Sequence, residues 1–356
     1  IGIAACTGLL ITGFGLKEGV IGAMQAQFNK IYKYYIQTVL NKPMNISQQN
    51  SIRDKVMGTN NVSSMLFAYS KNGTVKDKNS GSQDVYITVP ENKDELNQYI
   101  DLTMNGKKLV LGDSGVIITE KLSNLINKKA GDTAEITINN KVVKVKISAV
   151  TEHYLQHYIY MSPQYYQEIT GENLEYNEFY GLLKSTSEST EDAMSKTLTG
   201  ISDVGSVSYR NNTYIDYNKS MDSINSVVLI LIISAGVLAF VVIYNLTNIN
   251  ISERKRELAT IKLLGFYNNE LASYVYKENM ILTVIGSLAG IGVGILLNSF
   301  VLDTAETNVL MFLKTLNPIY FVYSILLTVL FSVVVNLAMY QKFDKIDMIE
   351  SLKSAE

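Results

Sequence analysis

Apolar and polar residues are segregated along this chain into long blocks. Uncharged runs cover residues 1–16, 223–252, 279–302 and 315–341, whereas the acidic and basic residues concentrate in residues 17–222. About 20 apolar residues in a row cross the hydrocarbon core of a bilayer as a helix. The last three runs therefore predict membrane-spanning helices. The first run is too short for a full span and predicts the outer part of a fourth helix.

The first apolar run does not match a secretory signal peptide. The chain begins at Ile1 without methionine, no basic segment precedes the run, and no small-residue cleavage site follows it. We expect residues 1–32 to be a truncated first transmembrane helix and a stalk, because an apolar period of about 3.6 residues continues from Leu16 to Tyr35. A second stalk is predicted at 215–226, running without a break into the second span. Two ordinary surface helices of a soluble domain would show the same periodicity.

Lys and Arg residues orient the predicted spans. The connector 253–278 and the tail 341–356 are rich in them, whereas the loop between the last two spans has only Lys314, beside Asp303 and Glu306. Basic residues are enriched in cytoplasmic loops. We therefore expect the connector and the tail to lie in the cytoplasm. Residues 17–222 are then extracytoplasmic.

Residues 33–212 are predicted to form an extracytoplasmic α+β domain. Strand-like segments at 33–40, 62–70, 178–184 and 204–210 alternate with helical segments at 46–57 and 189–200. The first helix is expected to open at Asn45 or Ser47. The second is expected to open at Ser189, which has the capping-box spacing with Asp192. Two strand–helix–strand units predict a ferredoxin-like core.

An insert at about 80–173 is predicted to interrupt this core. It is entered through the polar segment 71–84, which we expect to be a mobile loop. Alternating or β-branched residues predict strands at 84–89, 115–119, 134–140 and 141–150, with Asn139-Asn140 as a hairpin turn. A short helix is predicted at 121–132, ended by Gly131, and residues 153–166 are dense in tyrosine. The insert is therefore predicted to be mostly β.

The chain contains no familiar catalytic or nucleotide-binding motif. The patterns GxxxxGK[ST], CxxC, HExxH and GxSxG are all absent, so we expect no catalytic, cofactor or metal residues. The only histidines, His153 and His157, would suit a metal on one helix face, but their segment predicts strand or loop. Histidines on a tyrosine-rich surface are the better interpretation. The only cysteine, Cys6, lies in the first apolar run, so we expect no disulfide in the outer domain.

Two features of the spans bear on function. None of the four apolar runs contains Asp, Glu, Lys, Arg or His, whereas ion-coupled carriers place such groups at membrane depth. This absence argues against an ion-coupled carrier. In the third span, Gly286, Gly290 and Gly294 recur at every fourth position and predict a face for close helix packing. Glycines without a packing role would give the same pattern.

The segment 251–266 lies between two spans and combines charges with an apolar stripe. Its basic residues are consecutive and flanked by acidic ones: Glu253, Arg254, Lys255, Arg256 and Glu257. Leu258, Ile261 and Leu264 follow at helical spacing and lead to Gly265. This pattern predicts a short amphipathic helix that docks on a cytoplasmic partner. A solvated connector whose charges only fix the membrane topology is an equally good interpretation.

Several segments resemble a known family. ERKRELATIKLLGF (253–266) and KENMILTVIGSLAGIGVGILL (277–297) resemble the signature of FtsX-like permeases, the membrane subunits of a class of ABC transporters. GVIITEKLSNLINKKAGDTAEI (115–136) and HYIYMSPQYY (157–166) are similar to the outer domain of MacB-type permeases. The tail KIDMIESLKSAE (345–356) resembles the ending of such permeases in Gram-positive bacteria. The resemblance covers the whole chain.

The resemblance implies a fold, a partner and a location. The expected fold is type VII ABC permease-like, with four transmembrane helices, in the bacterial cell membrane. The segment 251–266 would be the coupling helix, which contacts a cytoplasmic dimer of ATP-binding subunits that hold the ATP. The residues implied in that contact are Arg254, Arg256, Glu257, Leu258, Ile261, Lys262, Leu264 and Gly265. A second permease module is expected in the same chain or as a homodimer, and the chain would be the C-terminal module of a larger permease.

Three functions are compatible with these expectations. The leading one is export, or removal from membrane lipids, of amphipathic compounds such as antimicrobial peptides or drugs by a mechanotransmission cycle. The second is a regulator that moves no solute and activates a cell-wall hydrolase or reports a drug to a sensor kinase. A membrane-anchored hydrolase is the weakest, because His153 and His157 have no recognisable catalytic partners. No feature of the sequence points to a nucleic acid.

Overall fold

The computed structural model describes residues 1–59, 61–77 and 81–339. The predicted tail 341–356 lies outside the described residues. Within them the chain forms two compact units. The helical unit contains residues 1–20, 221–305 and the chain from 313 onward, and the α+β unit contains residues 21–220 and 306–312.

The elements have the following bounds. The helices are α1 (Gly2–Ala26), α2 (Ile46–Met57), α3 (Leu96–Tyr99), α4 (Glu120–Leu125), α5 (Pro163–Thr170), α6 (Glu188–Thr199), α7 (Arg210–Ser220), α8 (Asp222–Glu253), α9 (Lys255–Leu263), α10 (Asn268–Ala305) and α11 (Ile319–Met339). The strands are β1 (Ile36–Met44), β2 (Val62–Asp77), β3 (Gly81–Pro90), β4 (Thr103–Met104), β5 (Lys107–Lys108), β6 (Val116–Thr119), β7 (Thr133–Ile138), β8 (Lys141–Thr151), β9 (Tyr158–Tyr160), β10 (Tyr176–Leu183) and β11 (Val204–Tyr209).

Among the described residues, four helical segments are long and apolar enough to cross a membrane. They are Gly2–Ile31, Arg210–Glu253, Ser273–Ala305 and Ile319–Met339. The first is longer than the run 1–16 predicted, because Lys17 and Glu18 interrupt the apolar sequence without ending the helix. The predicted continuation of the helix beyond the apolar run is therefore observed, as far as Ile31.

Helical segments occupy both predicted stalk positions. Helix α1 passes into a π-helical turn at Gln27–Ile31 and the chain is extended from Tyr32, next to the predicted bound at residue 32. The N–H groups of Lys33 and Tyr34 then donate to the carbonyl of Tyr99. Aromatic and β-branched neighbours favour this extended backbone. A single turn residue, Met221, lies between α7 and α8, which together form the helical segment Arg210–Glu253.

The helical unit has an apolar core between α1, α8 and α11. Its buried members are Ile3, Cys6, Leu10, Ala235, Ala239, Ile243, Val335 and Met339. Other faces of α8 and α10 carry exposed apolar side chains, among them Ile233 and Leu288. Helices that are apolar on their outer faces as well as at their contacts are typical of membrane spans.

The α+β unit is built on one nine-stranded sheet with the order β11-β1-β10-β2-β3-β9-β6-β8-β7. Strand β2 has 16 residues and also pairs with β7, through Thr74–Thr137 and Val75–Ile136. This pairing closes β2, β3, β9, β6, β8 and β7 into a barrel-like ring. The buried side chains inside the ring include Ile87, Ile118, Ile136 and Ile147.

The other strands of the sheet are covered by two helices. Ile52 and Val56 of α2 and Met194 and Leu198 of α6 are buried against the sheet. Phe67 and Phe179 meet edge to face there, with ring centroids 5.5 Å apart. Because β2 belongs both to this part and to the ring, the sheet does not end after four strands, and a separate ferredoxin-like core is not confirmed.

Most predicted elements exist with shifted ends. Helix 46–57 is confirmed, and Asn45 forms its capping box with Gln48. Asn139 and Asn140 have φ angles of 49° and 62°, which confirms the hairpin turn. The helix predicted at 121–132 is shorter and ends at Leu125, because Asn127 adopts a positive φ of 48°.

Two further expectations are wrong. The polar segment 71–84 is not a mobile loop: its described residues are the paired arms of β2 and β3, in register from Lys71–Ile87 to Asp77–Gly81. The polar composition of this segment predicted a loop, but one face of an antiparallel strand can be polar because it is exposed to solvent. The capping box at Ser189 is also absent, because α6 is preceded by Ser187, whose side chain makes no cap hydrogen bond.

Residues 306–312 belong to the α+β unit although they connect α10 to α11. The Gln156 N–H donates to the Val309 carbonyl at 2.7 Å, and the Met311 N–H donates to the Tyr154 carbonyl at 3.0 Å. Lys121 forms an ion pair with Glu306, both largely buried. The short loop is therefore held by backbone pairing as well as by charge.

Candidate functional site

The connector between α8 and α10 contains the predicted coupling helix. Helix α9 is shorter than the predicted segment 251–266, because α8 continues to Glu253 and α9 runs only from Lys255 to Leu263. Arg254 separates them, with φ −101° and ψ 16°. Gly265 follows the helix with a φ of +94°, the left-handed conformation that commonly ends helices.

Leu258 anchors α9 to its neighbours. Its side chain is 1% exposed and packs with Ile251 of α8 and Val275 of α10. Ile261 and Tyr276 are partly buried against the same cluster. Of the predicted contact residues, Leu258 therefore faces the protein's own interior and Ile261 only partly faces solvent.

The end of α9 presents apolar side chains to solvent instead. Leu263, Leu264, Phe266 and Tyr267 are 59%, 74%, 49% and 77% exposed. We call these four residues the α9 cap. The apolar spacing in the sequence predicted that Leu264 lies on the same helix face as Leu258. Helix α9 ends at Leu263, so the residues after Leu263 do not continue that face. Only Leu264 of the four was among the predicted contact residues, although Gly265 marks this end.

The charged residues of the connector divide into two groups. Arg254 Nη1 lies 2.9 Å from Glu278 Oε2 of α10, so this cation fixes the connector to the next helix. Arg256 and Glu257 are exposed, and Lys262 is half-buried. Arg254 therefore has a partner within the chain, and Arg256 and Glu257 lie on the exposed surface of α9.

The three glycines of the third span face α1. A Cβ atom added at Gly286, Gly290 or Gly294 would lie 2.9, 2.7 or 2.8 Å from side-chain carbons of α1. The atoms met belong to Ile3, Thr7 and Ile11 respectively. Such close approach requires residues without a side chain on one helix. The glycines therefore set the distance between α1 and α10.

A buried polar network joins the apolar helices, and the sequence reasoning missed it. The Asn279 amide donates to Thr247 Oγ1 at 2.8 Å and to Asn336 Oδ1 at 3.3 Å. The hydroxyls of Thr283 and Ser332 lie 3.0 Å apart, and those of Thr7 and Thr328 lie 2.9 Å apart. These side chains are neutral, so the absence of charged residues from the apolar runs gave no sign of them.

Both histidines are buried in the α+β unit, which corrects the expectation of surface histidines. His153 and His157 are 0% and 1% exposed. His153 Nε2 accepts from the Gln27 amide, at 3.1 Å, if the ring is neutral. Burial lowers the pKa of His153 to about 3 and lowers that of His157 as well. Among the described residues no cluster of three His, Cys, Asp or Glu side chains could hold a metal ion.

Among the described residues, several long apolar helices accompany an α+β unit, and such helices indicate a membrane protein. Residues 229–346, which include α9 and the glycine face, match the model of the FtsX-like permease C-terminal family. This match covers 118 of the 356 residues of the chain.

Two solved structures are similar to the chain. The periplasmic region of MacB from Actinobacillus actinomycetemcomitans is 12% identical, with a TM-score of 0.34, over 55% of this chain and 97% of that one. The extracellular domain of the noncanonic ABC-type transporter YknZ from Gram-positive bacteria is 12% identical, with a TM-score of 0.31, over 48% of this chain and 100% of that one. A search of curated proteins finds no significant match.

Proposed function

We propose that the chain is the permease subunit of an ABC transporter, which couples ATP hydrolysis by a separate ATPase to movement of its α+β unit. The observation that carries the proposal is helix α9: a short helix between two long apolar helices whose end exposes the four apolar side chains of the α9 cap. Exposed apolar patches of this kind mark interaction sites. The family to which residues 229–346 belong supports the same function.

The contacts of α9 suit the transmission of force. A partner pressing on Leu264 and Phe266 would move a helix whose other side is fixed by Leu258 and by the Arg254–Glu278 pair. Those contacts involve α8 and α10, with 32 and 38 residues. Displacement of the α9 cap is therefore passed to two whole spans and not absorbed in a loose loop.

The movement would reach the α+β unit through the covalent connections between the two units. Helix α8 continues through Met221 into α7, and α1 continues into the turn 27–31, so both helices lead covalently from the helical unit to the α+β unit. We propose that this unit is extracytoplasmic. We also propose that β11, β1, β10 and β2 with α2 and α6 form a ferredoxin-like core, which the antiparallel order of these four strands supports.

The proposed cargo is an amphipathic compound such as an antimicrobial peptide or drug, exported or removed from the membrane. Support comes from the apolar runs 1–16, 223–252, 279–302 and 315–341, which contain no Asp, Glu, Lys, Arg or His and so offer no relay for a coupling ion. In the proposed cycle a second permease module, in the same chain or in a homodimer, faces the same ATPase dimer. A regulator of a cell-wall hydrolase or sensor kinase would use the same movement without cargo.

The proposal is tested by isolating the full chain with its ATPase. The variant Leu264→Asp with Phe266→Asp places charges on the α9 cap, and the control Val142→Asp places one on a 64% exposed apolar residue of β8. Apolar anchors at interfaces each contribute about 2 kcal/mol or more. We expect the double variant to lose copurifying ATPase activity and the control to keep it. Equal activity in both, or no ATPase with the wild type, contradicts the proposal.

Export and regulation are separated by reconstitution. The permease and its ATPase are placed in vesicles loaded with a labelled amphipathic peptide, and ATP-dependent release of the label is measured. Export predicts release with the wild type and none with the α9 cap variant. ATP hydrolysis without release would favour the regulatory function.

A further inference from the structure

The α+β unit contains a cavity of about 150 Å³ that no part of the proposed coupling uses. Its walls come from the turn after α1, from β1, from the segment leading into β9, from the end of β11 and from α7. Five aromatic side chains line it: Phe28, Tyr32, Tyr34, Tyr158 and Tyr217. It therefore lies where the continuations of α1 and α8 reach the sheet of this unit.

The aromatic walls form a continuous set of ring contacts. The ring of Phe28 lies 5.6 Å from those of both Tyr32 and Tyr217. Tyr32 and Tyr34 are 5.0 Å apart, and Tyr34 stacks on Tyr180 at 4.9 Å. Rings held by other rings keep their orientation, so the cavity is preformed for a planar group.

The size of the cavity limits that group to about one ring. A protein cavity of about 150 Å³ is known to take up benzene, and larger ring systems exceed that volume. The wall is mixed and not wholly apolar, because Gln37, Ser208 and Thr213 also reach it. A single ring with a polar substituent fits this lining.

The charge at the cavity is a guanidinium. Arg210 lines the cavity, donates from Nη1 to the Tyr32 carbonyl at 2.9 Å and lies over the Tyr35 ring at 5.5 Å. Within the part of the chain that the structure describes, no carboxylate pairs with it. A guanidinium has five N–H donors, so most remain for an anion.

The buried acid Glu178 is paired elsewhere. Glu178 is 4% exposed and does not line the cavity. Its carboxylate accepts from the Tyr180 hydroxyl at 2.5 Å and from the Gln37 amide at 3.1 Å. The lining therefore joins aromatic walls to one cation, which favours an anionic group over an ammonium group.

We propose that this cavity binds a ligand with a single ring and one anionic group, whose ring lies among Phe28, Tyr34 and Tyr217 and whose anion meets Arg210. A ring-bearing carboxylate is the simplest member of this class. Binding at the cavity needs no ATPase, so this proposal stands or falls separately from the coupling function.

The test uses the full chain in detergent micelles and ligand-observed NMR titrations, with empty micelles as the blank. Benzoate carries the ring and the charge, benzamide keeps the ring without charge, acetate keeps the charge without the ring, and benzylamine reverses the charge. We expect saturable binding of benzoate, and binding weaker by about tenfold or more for the other three, because charge-assisted hydrogen bonds and ring burial each contribute more than 1.4 kcal/mol.

Two variants and one matched control locate the site. Arg210→Gln removes the cation, and Ser208→Phe adds a bulky side chain to the cavity lining from β11. Ser206→Phe is the control, because it is exposed on the same face of the same strand and lies outside the lining. We expect about a tenfold loss of benzoate affinity in both variants and none in the control. Unsaturable benzoate binding, equal binding of benzylamine, or unchanged affinity in Ser208→Phe overturns the proposal.

Discussion

The buried histidines make the stability of the α+β unit depend on pH. The pKa of His153 falls to about 3 in the folded protein because burial disfavours its charged form, whereas an unfolded chain protonates it near pH 6.5. The unfolded state therefore binds more protons below that pH. The stabilising contribution is complete above about pH 6.5 and is lost as the pH falls toward 3.

We predict that His153→Asn reduces this dependence. At pH 5 the wild type should lose about 2 kcal/mol of the free energy of unfolding through His153. The measurement is the Tm of the full chain in detergent at pH 7 and pH 5. A smaller difference in the variant is expected. An equal difference in both proteins would show that His153 does not titrate in this way.

The glycine face predicts a second effect of single residues. Gly290→Ala adds a Cβ only 2.7 Å from the Thr7 Cβ and 2.8 Å from the Ala4 carbonyl oxygen, and we expect a loss of stability of about 1–3 kcal/mol. Gly292→Ala is the control, because nothing lies within 4 Å of its added Cβ. Alanine there should be neutral or slightly stabilising. The measurement is thermal unfolding in detergent, and equal effects would contradict the observed packing of α1 on α10.

At the scale of elements, two leucines of the α9 region are expected to have different roles. Leu258 packs α9 against its neighbours, whereas Leu264 is proposed to contact the ATPase. Leu258→Ala empties a fully buried position and should cost about 2–5 kcal/mol of stability. Leu264→Ala removes a side chain that is 74% exposed and should leave the Tm nearly unchanged while weakening ATPase association. Measuring both quantities for both variants checks the assignment. If Leu258→Ala lost ATPase association at an unchanged Tm, Leu258 and not Leu264 would be the residue that contacts the partner.

The sequence predicted those elements whose signals are local. Long apolar runs predicted the spans, and Asn45, one of the two predicted starts, is the N-cap of α2, because an N-cap depends only on neighbouring residues. The ring of strands was not predictable in this way, since β2 pairs with β7 across about 60 residues of sequence. The same limit applied to the site. A helical stripe predicted Leu264 beside Leu258, but the end of α9 at Leu263 placed them on different surfaces.

At the scale of the whole molecule, the account requires the α9 cap and the α+β unit to work on opposite sides of a membrane. The neutral network of Asn279, Thr247 and Asn336 then lies among the spans, where it ties α8, α10 and α11 together. We predict that Asn279→Leu, which removes the donor and leaves two buried acceptors unpaired, lowers stability by about 1–3 kcal/mol. Thermal unfolding in detergent measures this loss, and an unchanged Tm would show that packing alone joins these helices.

Sidedness is also the most direct test of the coupling account. The only cysteine, Cys6, is buried, so a Cys6→Ala background allows single reporters at Leu264→Cys and Val142→Cys. Intact cells are treated with a membrane-impermeant maleimide, then permeabilised and treated again. The account predicts that Val142→Cys reacts in intact cells and that Leu264→Cys reacts only after permeabilisation. Reaction of both positions in intact cells would place the α9 cap outside, beyond the reach of any cytoplasmic ATPase, and would contradict the account.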